Sequence, residues 1–98
     1  MKDLVTVYIT TFNRLKKLKR ALNSVMMKSY LNIEEIVSDD ASSDGTKDFM
    51  LKYIKENPKC KYIRSEVSSG ACIARNKAID KATGIYITGL DDDDEFLE

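Results

Sequence analysis

An open, mostly parallel α/β sheet with flanking helices is the fold predicted for this 98-residue chain, and three observations predict it. Strand-like and helix-like segments alternate from end to end, without internal repeats or linker composition. The run Leu4 to Thr10 is nearly continuous in β-prone residues, the pattern of a central strand covered on both faces, and Ile85 to Leu90 reads as a buried strand. Polar clusters fall at strand ends, at Thr10-Thr11-Phe12, Asp39-Asp40 and Asp91 to Asp94, where parallel sheets open into binding crevices.

The elements follow in order. After the first strand, Thr11-Phe12-Asn13 breaks the run, and Asn13 is a candidate N-cap for a helix from about Arg14 to Lys28. A second strand, Ile33 to Ser38, ends at Asp39-Asp40, and Ala41 to Thr46 is loop chemistry in which Asp44 is a capping or loop-ordering acid. Phe49, Met50, Tyr53 and Ile54 repeat at helical spacing until Asn57-Pro58 stops them. Cys60 to Arg64 alternates weakly and suits an edge strand. Ser68-Ser69-Gly70 opens a helix with Ala71, Ala74, Ala78 and Ala82 on its inner face and Gly84 placed as its C-terminal cap.

Composition narrows the function classes. With 43% hydrophobic and 33% charged residues, one proline and four glycines, the chain is neither disordered nor fibrous. Basic and acidic residues balance at 16 each, but Arg14, Lys16, Lys17, Lys19 and Arg20 crowd one segment. Such a run invites a nucleic-acid or anionic-membrane reading. Leu15, Leu18, Leu22 and Val25 interleave at helical spacing, which favours a solvated helix face, so no nucleic-acid partner is predicted. Cys60 and Cys72 form no CxxC pair and no histidine is present, so both read as buried, reduced thiols rather than zinc ligands. The apolar run at the N-terminus is too short for a signal or a membrane span. A cytoplasmic chain is expected, with a peripheral place at the inner face of the cell membrane left open.

The acidic run after the last strand carries the chemistry. Two carboxylates about 4 Å apart repel by roughly 4 kcal/mol at an effective dielectric of about 20, so a half-buried cluster needs a cation. Mg²⁺ or Mn²⁺ takes oxygen ligands and accepts one or two carboxylates when phosphate completes the shell. A fully solvated acidic run needs no ion. The strand before it and the polar turns upstream favour the cation.

Together these stretches resemble the nucleotide-sugar-binding half of family-2 glycosyltransferases, inverting enzymes with the A-type fold, which is Rossmann-like. The likeness runs through Val5 to Arg14, Ser24-Val25 before Tyr30, Asp39 to Thr46, Gly70 to Asn76 and Leu90 to Asp94. It implies a metal-assisted transfer, with inversion, from a nucleoside-diphosphate sugar, UDP-sugar first, to a hydroxyl of a glycan or lipid-linked acceptor in polysaccharide biosynthesis. Thr10 and Phe12 would lie at the uridine pocket, where relatives usually carry a tyrosine at the second position, so Phe12 offers a stacking face without a hydroxyl. Asp40, with Asp39 beside it, resembles the acid that accepts a hydrogen bond from the base, and Arg75 lies in the segment lining ribose and diphosphate. Asp91 and Asp93 form the family's DxD, with Asp93 the direct metal ligand. Asp92 stands at the variable position of the donor site, and Asp94 matches a further common acid.

The catalytic base is not assigned, because in relatives it lies on the acceptor half, which follows the DxD, beyond Glu98. Residues 1–98 are therefore expected to be a single donor-binding domain of a larger enzyme, inactive alone. Apolar surface left showing would favour dimerisation. Dehalogenase-type phosphatases, EF-hand loops and receiver domains order their acids differently. The remaining alternative is a non-catalytic nucleotide- and metal-binding interaction module on the same fold.

Overall fold

The computed structural model describes residues 4–26, 32–84 and 86–91, the side chains of Ala71 and Asp91 excepted. Strands β1 (Val5–Thr11), β2 (Ile33–Asp40), β3 (Cys60–Ser65) and β4 (Tyr86–Asp91) alternate with helices α1 (Leu15–Met26), α2 (Thr46–Glu56) and α3 (Ala71–Lys81). The strands form one sheet in the order β3-β2-β1-β4, and every pairing is parallel. The expected α/β sheet is therefore present, with β1 at its centre.

Strand order explains where the helices lie. The chain steps outward from β1 to β3 and then returns across the sheet to place β4 on the other side of β1. Right-handed crossovers in opposite directions put helices on opposite faces. Leu18, Ala21 and Leu22 of α1 and Met50 and Tyr53 of α2 pack with Ile9, Val37 and Cys60 in one core. On the other face α3 lies across β1 and β2, and its buried residues are Ala74 and Ala78, small enough for close approach. The fully buried Ile9, Leu18, Leu22 and Val37 each contribute roughly 1.5–3 kcal/mol of apolar transfer. Among the described residues no helix is long and apolar enough to cross a membrane.

Four local expectations are corrected. Asn13 does not cap α1: it adopts a left-handed φ of 51°, and Leu15 N–H donates instead to Asp44 Oδ2 at 3.0 Å. The cap comes from the loop after β2, a contact across the sheet edge that local spacing does not reveal. Gly84 has no left-handed φ; a Cβ there would fall 2.5 Å from Thr6 Oγ1 and 2.7 Å from Thr6 N. Its glycine permits the backbone to approach β1. The last strand is not buried on both faces, since β4 is the sheet's edge and Tyr86 and Ile87 are 59% and 46% exposed. Cys60 is buried as expected, but Cys72 is exposed, because it stands off the stripe formed by Ala74 and Ala78.

The pleat gives two adjacent glutamates opposite surroundings. Glu34 accepts hydrogen bonds from Thr6 Oγ1 at 2.9 Å, Thr83 N at 3.0 Å and Thr83 Oγ1 at 2.9 Å, and Lys61 Nζ lies 2.9 Å away. Burial alone would raise its pKa; these partners outweigh burial and hold it at about 2. Glu35 faces the α1–α2 core, where Tyr53 Oη donates to Oε1 at 3.1 Å. Its Oε2 has no partner among the described residues, and burial raises its pKa against that single bond.

Candidate functional site

Parallel strands end together, so one edge of the sheet collects the loops after β1, β2 and β3 and the end of β4. Residues in register share a row across the strands. Thr10 stands in register with Ser38 on one side and Asp91 on the other. One residue further, Thr11 aligns with Asp39 and Asp39 with Arg64, and Asp40 then aligns with Ser65. Successive strands are added on one side of β1 up to β3 and on its other side at β4, so the gap between β1 and β4 is the switch point at which open α/β sheets bind ligands. Thr10 and Asp91 occupy that point.

The loops at this rim are bound to each other. Asn13 N–H donates to Ser42 Oγ at 2.9 Å, and Ser43 N–H donates to Asn13 Oδ1 at 2.6 Å. Asp44 accepts from Leu15 N–H, from Thr46 N–H at 3.2 Å and from Thr46 Oγ1 at 2.6 Å. Burial opposes its ionisation, but these bonds outweigh it and lower its pKa. Asp44 is thus the loop-ordering acid expected from sequence. Asn13 and Ala41, the two non-glycine residues with positive φ among those described, at 51° and 66°, both stand here. Such conformations cost of order 1–3 kcal/mol and persist where the surroundings enforce them.

Asp39 and Asp40 are neighbours in sequence that the pleat sends to opposite faces. Asp39, 1% exposed, points toward the α1–α2 side. It accepts from Ser42 N–H at 2.9 Å through Oδ1, and from Tyr62 Oη at 2.6 Å and Arg64 Nη1 at 3.0 Å through Oδ2. Arg64 Nη1 also donates to the Ser42 carbonyl at 2.9 Å. Burial and the bond to Asp39 raise the pKa of the Tyr62 hydroxyl. Asp39 spends its carboxylate inside the protein, where it fixes the shape of the rim.

Asp40 turns toward α3. It accepts from Ser69 N–H at 2.7 Å, Ser68 Oγ at 2.8 Å and Gly70 N–H at 3.0 Å, so the carboxylate ties the loop before α3 to the end of β2. The Ser69 bond leads in lowering its pKa, burial opposes, and Ser68, Gly70 and the Lys77 charge assist. Lys77 is anchored on the same side by Ser65 Oγ at 2.6 Å. An ionised carboxylate offers about four lone-pair sites, so one remains beyond the three bonds made here.

The other expected residues are distributed around this rim. Phe12 follows β1 with 48% of its surface exposed. Arg75 is exposed in the second turn of α3; at about 100° per residue it lies on the flank opposite Lys77, away from β3 and toward β1 and β4. The backbone of Asp91 ends β4 at the same edge, while Asp92, Asp93 and Asp94 lie outside the described residues. Among the described residues no three His, Cys, Asp or Glu side chains gather to hold a metal. The residues missed from sequence are those that set the two aspartates: Ser42, Tyr62 and Arg64 for Asp39, and Ser68 and Ser69 for Asp40. Their signal was parity, since Tyr62 and Arg64 share a face of β3, but the register was needed to read it.

Comparison with known proteins fits this arrangement. The sequence matches the model of Glycosyl transferase family 2 over residues 6–98. A GalNAc(5)-diNAcBac-PP-undecaprenol beta-1,3-glucosyltransferase of Campylobacter jejuni is 37% identical over 94 residues, which are 95% of this chain and 30% of the relative. A mannosyltransferase from Pyrobaculum calidifontis, solved with GDP-Man and Mn²⁺, matches with a TM-score of 0.86 at 25% identity, over 98% of this chain and 29% of that one. S. aureus TarS 1-349 in complex with UDP-GlcNAc matches with a TM-score of 0.83 at 31% identity, over 97% of this chain and 27% of that one. This chain spans about a third of the length of the curated relatives it matches. A family match that takes in every strand end of the rim, on a sheet these enzymes share, places the chain in glycosyl transferase family 2.

Proposed function

We propose that this chain is the donor-binding part of an inverting glycosyltransferase, which moves a sugar from a UDP-sugar to a hydroxyl of a lipid-linked or glycan acceptor with a divalent cation. The observation that carries this reading is the rim: Thr10, Asp40 and the end of β4 lie on one edge, with only β1 between the strands bearing the two acidic clusters. A nucleoside diphosphate spans that width, since neighbouring strands are about 4.8 Å apart.

Each residue has a stated part. Asp40, held ionised and pointed by Ser68, Ser69 and Gly70, accepts the base N–H with its remaining lone pair. Phe12 offers its exposed ring to the base and Thr10 closes the floor between β2 and β4. Asp39 acts through the rim it braces. Arg75 reaches the diphosphate from the β4 flank of α3, where a guanidinium suits phosphate oxygens. Asp91 and Asp93 supply hard oxygen donors that suit Mn²⁺ or Mg²⁺, with Asp92 beside the donor. When bound, that cation neutralises the departing diphosphate. The acceptor hydroxyl needs a base within hydrogen-bond reach, a role given to none of the rim residues and left to the part of the relatives' length that this chain does not span. These residues alone bind donor and transfer no sugar.

Calorimetric titration with UDP, with and without Mn²⁺, tests the proposal. Binding that strengthens with Mn²⁺ and weakens about tenfold or more in Asp40→Asn is expected, since loss of one charge-assisted hydrogen bond is worth about 1.5–3 kcal/mol. UDP affinity indifferent to both Mn²⁺ and Asp40 would overturn it.

A further inference from the structure

The layer formed by α1 and α2 carries a charge imbalance that the rim does not use. Within α1 four residues are basic, Lys16, Lys17, Lys19 and Arg20, and none is acidic; α2 adds Lys47, Lys52 and Lys55 against Asp48 and Glu56. All of these are exposed. Because the whole chain has a formal net charge of zero, this one layer is positive at the expense of the remainder. The two helices share a face of the sheet, joined by Leu18, Leu22, Met50 and Tyr53 in one core and by Lys19 Nζ lying 5.0 Å from the Phe49 ring centroid. Lys16 and Arg20 stand one turn apart, opposite the buried Leu18, Leu22 and Val25.

We propose that the outer face of α1 and α2 is a docking surface for an anionic lipid bilayer. Charge complementarity argues for an anionic partner, and two features argue for lipid over nucleic acid. Six of the seven basic residues are lysines, point charges suited to a diffuse headgroup layer, whereas the planar fork of arginine serves fixed phosphates. Met26 and Leu51 on the same two helices are exposed, apolar side chains that a headgroup region accepts. Both helices begin at the rim, since each follows the carboxyl end of its strand. Docking by this face therefore sets the nucleotide site beside the membrane, a consequence that rests on the lipid-linked acceptor proposed above.

The test is sedimentation of the chain with vesicles of phosphatidylcholine alone and of phosphatidylcholine mixed with phosphatidylglycerol, at low and high salt. Binding to the anionic vesicles only, falling as salt rises, is expected. The pair Lys16→Gln and Arg20→Gln should lower partitioning by about tenfold or more, at about fivefold per basic residue near an anionic surface. The pair Lys59→Gln and Lys81→Gln removes the same charge from exposed sites outside this face and should lower it by about threefold or less. Equal losses in the two pairs, equal binding to both vesicle types, or duplex DNA binding as tight as vesicle binding would overturn the proposal. UDP titration of the same samples separates the readings: vesicle binding without UDP binding leaves the docking face standing and removes the donor site.

Discussion

Replacing Asp39 by alanine should unfold the rim before it touches chemistry. The carboxylate accepts from Ser42 N–H at 2.9 Å, Tyr62 Oη at 2.6 Å and Arg64 Nη1 at 3.0 Å. Arg64 keeps the Ser42 carbonyl and Glu66, but the Ser42 N–H and the Tyr62 hydroxyl lose their acceptor. A buried donor left unpaired costs about 1–3 kcal/mol, and with the Tyr62 hydroxyl only part-buried the pair sets the loss at roughly 2–4 kcal/mol. That is a large share of the about 5–15 kcal/mol by which domains are stable. Urea unfolding followed by far-ultraviolet circular dichroism reads it directly. With a slope of about 1 kcal/mol per molar for a chain this small, the midpoint should fall by about 2–4 M with the slope unchanged. A fall of less than about 1 M would refute the bracing role, and an intact fold with lost UDP binding would show that Asp39 meets the nucleotide itself.

Four further outcomes are expected. Gly84→Ala should destabilise by about 1–3 kcal/mol, measured by the same unfolding, because the new Cβ meets the Thr6 backbone N at 2.7 Å. Asp44→Ala should cost about 1–2 kcal/mol, since it uncaps α1 and frees Thr46 together, with the loss full above the ordinary carboxylate pKa and fading as pH falls through the lowered folded value. Glu34, held at about 2, contributes stability that is present above its unfolded pKa of about 4.3 and disappears as pH falls through its folded value; Glu34→Gln should flatten that acid limb. Glu35 carries the opposite sign. Its raised pKa gives stability present below about pH 4.3 and lost as pH rises through the folded value, so Glu35→Gln should remove the decline toward neutral pH.

The sheet was legible because its signals are local. Val5 to Thr10 is a run of strand formers, Ile33, Ile36 and Val37 mark a second strand, and Leu18, Leu22 and Val25 repeat at the helical period, so element types and order follow from neighbours in the chain. Strand ends then place Thr10, Asp40 and Asp91 on one edge without further information. Ties between distant residues were not legible. The Asp44 cap on α1 joins positions 29 apart, and the fit of Gly84 against Thr6 depends on where β4 lies. Asp39 and Asp40 read as a pair from sequence, yet the pleat separates them, and only the register with Arg64 and Ser65 shows which one braces and which one faces the α3 loop. The composition of Ile85 to Leu90 describes a covered strand, but exposure depends on position in the sheet, and β4 is an edge.

The central claim is that one nucleotide and its cation bridge separate turns at the carboxyl edge of the sheet. Mn²⁺ added to the isotope-labelled chain with UDP would broaden amide resonances near the ion. Broadening should appear together at Thr10 to Phe12, at Asp40 to Ser42 and at Asp91 to Asp94, and should spare Asn32 and Lys59 at the far edge. Broadening at the far edge, or at the acidic run alone with UDP making no difference, would contradict the account.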